Sequence, residues 1–307
     1  MVGSLAFHII VGRADYLHIV IFYRHNLLVM ELAGYGMATI FDRLHGSVTG
    51  SGERTLLLLH GFGMDQRAWE ALRPWLNGFF TVLSYNIAGA GADGAEDYLP
   101  QRHHHLYGHV DDFLEILATI KQSAVTVLAH STSVMIGLAA AAVRPDRVGR
   151  VVALQGLPRY LAADDYPTKL AQTDLNEMYA IMHKNHAAWA NVFARKTLAI
   201  EEPLVLDAVL RHLLSMSPEM TIALMRAFFQ ADVRECQSRI RVPVHILHSK
   251  QDPLTPLAAV RTMKRQIAHA TLDSIPVTGH LPHVTQPELL KPVLAGCLDI
   301  PFHEAAP

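Results

Sequence analysis

Val125-Thr-Val-Leu-Ala-His-Ser-Thr-Ser-Val134 carries an apolar strand pattern straight into a serine, and a small-residue segment of helical character, 135–143, follows it. A serine on a sharp strand-to-helix turn sits in strained backbone geometry with its hydroxyl presented outward. The turn needs small residues two before and two after it. Ala129 and Ser133 meet that demand around Ser131, although glycine at both places is the commoner form. Taking Ser133 as the nucleophile would put Met135 at the second small position, which the turn tolerates poorly. The helix that follows directs its N-terminal amides, with their partial positive charge, at the same point.

Upstream, Leu56-Leu-Leu-Leu-His-Gly-Phe-Gly-Met-Asp65 is a buried-strand pattern that ends in glycines. Those glycines let the loop fold back so that a main-chain N–H can meet a developing oxyanion. We assign that N–H to Phe62 and the second donor to Thr132. Serine is a weak nucleophile until a base takes its proton, so a carboxylate and a histidine are expected downstream, in that order. Asp252 follows the strand pattern 242–247, and His280 follows the strand pattern 271–275, each in a loop at a strand's carboxyl end, where open α/β sheets build their sites. His283 is the nearest competitor as base and is expected to be structural.

Around these residues the chain alternates short apolar runs with longer periodic segments, which is the pattern of a mostly parallel sheet covered by helices. Strands are expected at 39–44, 55–59, 80–85, 125–129, 151–154, 242–247 and 271–275, and helices at 65–75, 108–120, 132–143, 256–266 and 287–297. The alternation breaks once, over 157–239, where helical segments 169–185, 186–198, 203–216 and 218–232 follow one another. Leu175, Met178, Tyr179 and Met182 recur there at three- and four-residue spacing, an amphipathic stripe. Such an insertion reads as a cap over the site, with the α/β core formed by 37–156 and 240–307.

Composition narrows the function. Fifty per cent hydrophobic residues in 307 supply a sizeable core, and a net charge of −2 without long single-sign runs gives no footprint for nucleic acid. Cys236 and Cys297 have neither metal-site spacing nor a disulfide pattern, so a cytoplasmic setting is expected, with the nucleus as a second place in a eukaryote. The run His103-His-His105 lies in a polar stretch and reads as a solvated loop rather than a metal site; no metal and no cofactor are expected. Residues 1–36 hold apolar stretches broken by Arg13, Asp15, Arg24 and His25, which gives neither a membrane span nor a secretory signal. They read as an extension outside the catalytic fold.

From about Met37 onward the sequence resembles the small α/β-hydrolases of the strigolactone and karrikin receptor and RsbQ-like family. The resemblance rests on His60-Gly-Phe-Gly-Met-Asp-Gln66 with Trp69, His130-Ser-Thr-Ser-Val-Met-Ile-Gly137, Leu157-Pro-Arg-Tyr-Leu161, the stretch 185–194 with Trp189 and Phe193, and Gly279-His-Leu-Pro-His283. It implies the α/β-hydrolase fold, with a V-shaped lid of four helices inserted after the sixth strand of that fold's sheet, over a deep apolar pocket. It also implies a pocket lined by Phe62, His130, Tyr160, Trp189 and Phe193, and a small hydrophobic ester, lactone or butenolide enol ether as substrate. Ser131 would attack, His280 would serve as base and then acid, and Asp252 would hold its tautomer. The chain departs from the family at Asn86, where aspartate is usual, and over Ile87-Ala-Gly-Ala-Gly91. Two functions fit: a serine hydrolase, or a ligand-sensing receptor whose slow hydrolysis is coupled to a signalling protein docking on the cap. A dehalogenase would need aspartate at position 131.

Overall fold

The structure, a computed structural model, describes residues 39–302 and the backbone of three strands before them. Those strands, β1 (Ala6–Val11), β2 (Leu17–Tyr23) and β3 (Asn26–Leu32), pair antiparallel in a sheet of their own. The remainder of the stretch 1–36 lies outside the described residues. The chain divides into two compact units, Met1–Arg43 and Leu44–Pro307.

The larger unit is built on a seven-stranded sheet in the order β10-β9-β8-β7-β5-β6-β4. Its strands are β4 (Ser47–Thr49), β5 (Arg54–Leu59), β6 (Phe80–Ser84), β7 (Val125–His130), β8 (Val148–Leu154), β9 (Val244–Gln251) and β10 (Ala270–Thr278). All pairings are parallel except that of β4 with β6. The central strands are apolar on both faces because helices cover both: Leu56, Leu57, Leu58 and Leu59 are all fully buried. Helix α1 (Ile40–Arg43) belongs to the smaller unit, and the helices of the larger are α2 (Arg73–Leu76), α3 (Pro100–His103), α4 (Leu106–Thr119), α5 (Val134–Val143), α6 (Gln172–Lys184), α7 (His186–Leu198), α8 (Pro203–Leu214), α9 (Pro218–Phe229), α10 (Leu257–Gln266), α11 (Pro282–Thr285) and α12 (Pro287–Leu298). The fold is an α/β-hydrolase fold.

Three expectations are corrected here. The stretch 39–44 is not a strand: Thr39 and Asp42 exchange reciprocal side-chain bonds, the N–H of Thr39 donating to Asp42 Oδ2 at 3.0 Å and the N–H of Asp42 to Thr39 Oγ1 at 3.2 Å. That mutual cap starts α1 instead. The helix expected over 65–75 is split into a 3₁₀ turn, Gln66–Trp69, and α2, because Asp65 caps the first and Pro74 can only begin the second. The four insertion helices α6 to α9 lie between β8 and β9, so they leave this sheet after its fifth strand, not its sixth.

The order of strands places the site. From β5 the chain turns to β6 on one side, and β7 then lies against the other side of β5, so connections diverge between β5 and β7. Ligands bind outside the carboxyl ends of strands at such a switch point. Phe62 follows β5 and Ser131 follows β7. Among the described residues no helix is long and apolar enough to cross a membrane.

Candidate active site

Ser131 has φ of 55°, in the left-handed region that costs a non-glycine residue roughly 1–2 kcal/mol. The sharp reversal between β7 and α5 requires it, and the surroundings are cut to fit. A Cβ on Gly61 would come within 2.9 Å of Ser131 Cβ, and one on Gly156 within 2.5 Å of the Ser131 carbonyl oxygen. Ser133 does more than remain small, for its hydroxyl donates to the carbonyl of His60 and ties the elbow to the loop after β5.

Three side chains expected to act together are brought together. His280 Nε2 lies 2.8 Å from Ser131 Oγ, and His280 Nδ1 lies 2.8 Å from Asp252 Oδ2. The carboxylate can only accept, so Nδ1 carries the proton and Nε2 faces the serine as an acceptor. Asp252 Oδ1 also accepts from the N–H groups of Leu254 at 2.7 Å and Thr255 at 3.1 Å, and Oδ2 from the Thr255 hydroxyl at 2.5 Å. Burial alone would raise the Asp252 carboxyl, but the facing imidazole and these donors hold it below the ordinary carboxylate range.

The strands put the acid and the histidine side by side. The pairing of β9 with β10 runs past a shift at Pro276, which has no N–H to give, and its last rung is the bond from Gly279 N–H to the Gln251 carbonyl at 2.9 Å. Asp252 and His280 are the next residue on each side. The main chain of His280 is held twice: its N–H donates to the Thr197 carbonyl at the end of α7 at 2.8 Å, and its carbonyl accepts from His130 Nε2–H at 2.9 Å. Gly279, at φ of 102°, brings the loop so close to α7 that an added Cβ would lie 2.2 Å from the Leu198 carbonyl oxygen.

The expected oxyanion donor is engaged. Phe62 N–H points at Thr132 Oγ1, 3.1 Å away, so the threonine hydroxyl stands where an oxyanion would be received. His60 fixes this loop: its Nε2 accepts from Ile87 N–H at 2.9 Å and its Nδ1–H donates to the Gly61 carbonyl. Burial pulls His60 down to about 4, which keeps it neutral. The departure at Asn86 serves the same loop, its Oδ1 accepting from Gln66 N–H at 3.0 Å.

Over Ser131 opens a narrow cleft. Of the expected wall, Phe62, His130 and Phe193 line it; Trp189 does not, stacking behind Phe193 at 5.1 Å, and Tyr160 instead brings its hydroxyl to 3.5 Å from Ser131 Oγ. Burial holds the Tyr160 phenol well above its usual range, so it remains an O–H donor. Val209, Leu213 and Phe229, on α8 and α9, complete the wall and were not singled out from the sequence. Phe62 is the hub, with Phe229 edge-on at 5.3 Å and Phe193 at 5.9 Å. Of the stripe, Leu175, Tyr179 and Met182 are buried and Met178 is half-buried, and none of the four lines the cleft. His283 is fully buried between Trp69 and His130, at 4.6 and 4.3 Å, and does not reach Ser131.

The histidine run behaves differently from a solvated loop. His104 and His105 are exposed, but His103 is fully buried, because α3 folds back onto α4 and sets His103 Nε2 2.9 Å from Asp112 Oδ2. His103, His109 and Asp112 lie near enough to suggest a metal, yet the donor set does not fit one. Arg102 Nε sits 2.6 Å from Asp112 Oδ1, Leu99 N–H uses His103 Nδ1, and the rings of His103 and His109 are stacked rather than convergent.

Comparison with known proteins agrees with this architecture. Residues 56–292 match the alpha/beta hydrolase family. A karrikin insensitive 2 receptor of Petunia hybrida is 31% identical over 83% of this chain and 96% of its own length. A strigolactone esterase of Arabidopsis thaliana is 27% identical over 84% and 97%. A hydrolase from Oleispira antarctica superposes with a TM-score of 0.80 at 28% identity, covering 85% of this chain and 96% of that one.

Proposed function

We propose, from the premise that this chain belongs to the alpha/beta hydrolase family, that it is a serine hydrolase cleaving a small hydrophobic ester, lactone or butenolide enol ether. The observation that carries this reading is the unbroken line Asp252, His280, Ser131, with 2.8 Å at each step, opening on an apolar cleft. The butenolide class is supported by the strigolactone esterase and karrikin receptor among its relatives.

In this reading Ser131 Oγ attacks the carbonyl carbon as its proton passes to His280 Nε2. Asp252 stabilises the imidazolium without taking the proton. The oxyanion is received by Phe62 N–H and Thr132 N–H, after Phe62 exchanges its bond to the Thr132 hydroxyl. Collapse breaks the bond to the leaving oxygen, which takes the proton from His280, and water then releases the acyl group by the same steps in reverse. Helices α6 to α9 act as a cap whose Phe193, Val209, Leu213 and Phe229 select flat or short apolar groups. Cys236 and Cys297, both free and buried, support a cytoplasmic setting.

The engaged Phe62 amide favours a second reading, a ligand sensor with slow hydrolysis, because each turnover must first break that contact. A signalling partner would then meet the cap through exposed apolar side chains such as Ile181, Val192 and Leu204. A fluorogenic butenolide enol ether, with aryl esters beside it, separates the two by product release and intact-protein mass. Repeated turnover supports the enzyme, a stoichiometric burst with a retained adduct supports the sensor, and absence of both product and adduct contradicts the substrate class.

A further inference from the structure

Gln155, the residue directly after β8, combines three features that seldom coincide in a glutamine. It is fully buried at 1% exposure, its φ is 53°, and all of its amide functions are engaged. Its side-chain Oε1 accepts from Ser249 N–H at 3.0 Å, while Nε2–H donates to the Ser249 hydroxyl and, at 3.0 Å, to the Gly279 carbonyl. Its own N–H donates to the Leu247 carbonyl at 2.9 Å.

The reach of that side chain is what matters. β8 pairs with β9 and not with β10, yet Gln155 starts at the end of β8, passes the end of β9 and touches the turn after β10. Ser249 stands three residues before Asp252, and Gly279 immediately precedes His280. We propose that Gln155 is a positioning residue that braces the Asp252 loop and the His280 loop against each other, fixing the separation of acid and base. Main-chain pairing at Gln251 and Gly279 sets the rung, and the planar amide sets the angle at which the His280 loop leaves it. A left-handed conformation in a non-glycine residue costs free energy and persists where its surroundings enforce it. Here it turns the side chain across the sheet end, and the bonds to Ser249 and Gly279 offset that cost. The inference rests on the proposed triad.

The test uses the full chain, an aryl acetate as substrate, and a fluorophosphonate reagent to label Ser131. Gln155→Met keeps the length and volume of the side chain and removes every amide bond; kcat is expected to fall about 10- to 100-fold with KM within about twofold, since misplacement of about an ångström has that effect. Fluorophosphonate labelling should slow in proportion, with ligand affinity kept, which mere loosening of the core would not produce. Gln155→Glu adds a second measurement. A buried carboxylic acid retains one donor and one acceptor while protonated, so its activity relative to wild type should be highest at low pH and decline as the carboxylate forms. Should Gln155→Met unfold, Ser249→Ala removes one partner of the brace from the other strand and is expected to lower kcat several-fold. Gln155→Met and Ser249→Ala proteins that turn over and label at wild-type rates would overturn the brace while leaving the triad standing. A wild-type protein that neither hydrolyses the ester nor labels at Ser131 would overturn both.

Discussion

The imidazole of His130 donates from Nε2 to the main-chain carbonyl of His280 at 2.9 Å, joining the residue before Ser131 to the residue expected to deprotonate it. The nucleophile elbow and the base loop are therefore tied by a direct hydrogen bond. Burial, together with the neighbouring His283 and His280, drives His130 well below its ordinary range, so it stays neutral with its proton on Nε2. Replacing it with leucine removes the donor at similar volume. His130→Leu is expected to lower kcat about 10- to 100-fold with a folded protein, as steady-state kinetics beside a melting curve will show.

Thr132 and Phe62 give a prediction of the opposite sign. The Thr132 hydroxyl holds the Phe62 amide in the resting state, and a net hydrogen bond of about 1 kcal/mol must be exchanged for the oxyanion. Thr132→Val keeps the shape and cannot accept, so kcat is expected to rise about fivefold. A fall instead would assign the hydroxyl itself to the oxyanion hole.

Stability should fall early in acid. Burial depresses His60 to about 4 and His109 and His283 to about 3, against about 6.5 when unfolded. Between those values the unfolded chain binds protons that the folded chain refuses, so stability present above pH 6.5 is lost as pH falls. Each such group contributes about 1.4 kcal/mol per pH unit in that window. The urea midpoint is expected to drop steadily from pH 7 to pH 5, and His283→Phe should flatten the decline.

Phe229→Ala tests the wall that α9 supplies. Phe229 is nearly buried and faces Phe62 edge-on. Its loss is expected to cost about 3 kcal/mol of stability and to shift preference toward bulkier acyl groups, measured with an aryl ester series.

What could be read in advance followed from local chemistry. Helix α7 was legible to both ends, 186–198, and in the structure Asn185 Oδ1 caps Ala188 N–H while Ala199 closes it in the left-handed region. β5 and β7 were legible because strands buried on both faces are predominantly apolar along their length. Of the proposed triad, Ser131 was legible because it follows such a strand, whereas Asp252 after β9 and His280 after the largely exposed edge strand β10 were legible from their chain order and their place at strand ends. Trp189 was expected in the pocket wall but stands behind Phe193, since aromatic character does not say which ring of a stacked pair reaches the cleft. Phe229, Val209 and Leu213 were hidden among helix positions whose burial depends on how α8 and α9 pack. His103 was misread because a polar run gives no sign that Asp112, nine residues on, will draw one of its members inward.

The most direct measurement is steady-state hydrolysis of an aryl acetate by wild-type protein and by Ser131→Ala, with both melting curves recorded. The account predicts repeated turnover in the wild type, at least a thousandfold less in the variant, and little change in melting temperature. Equal turnover by a well-folded Ser131→Ala protein would contradict it.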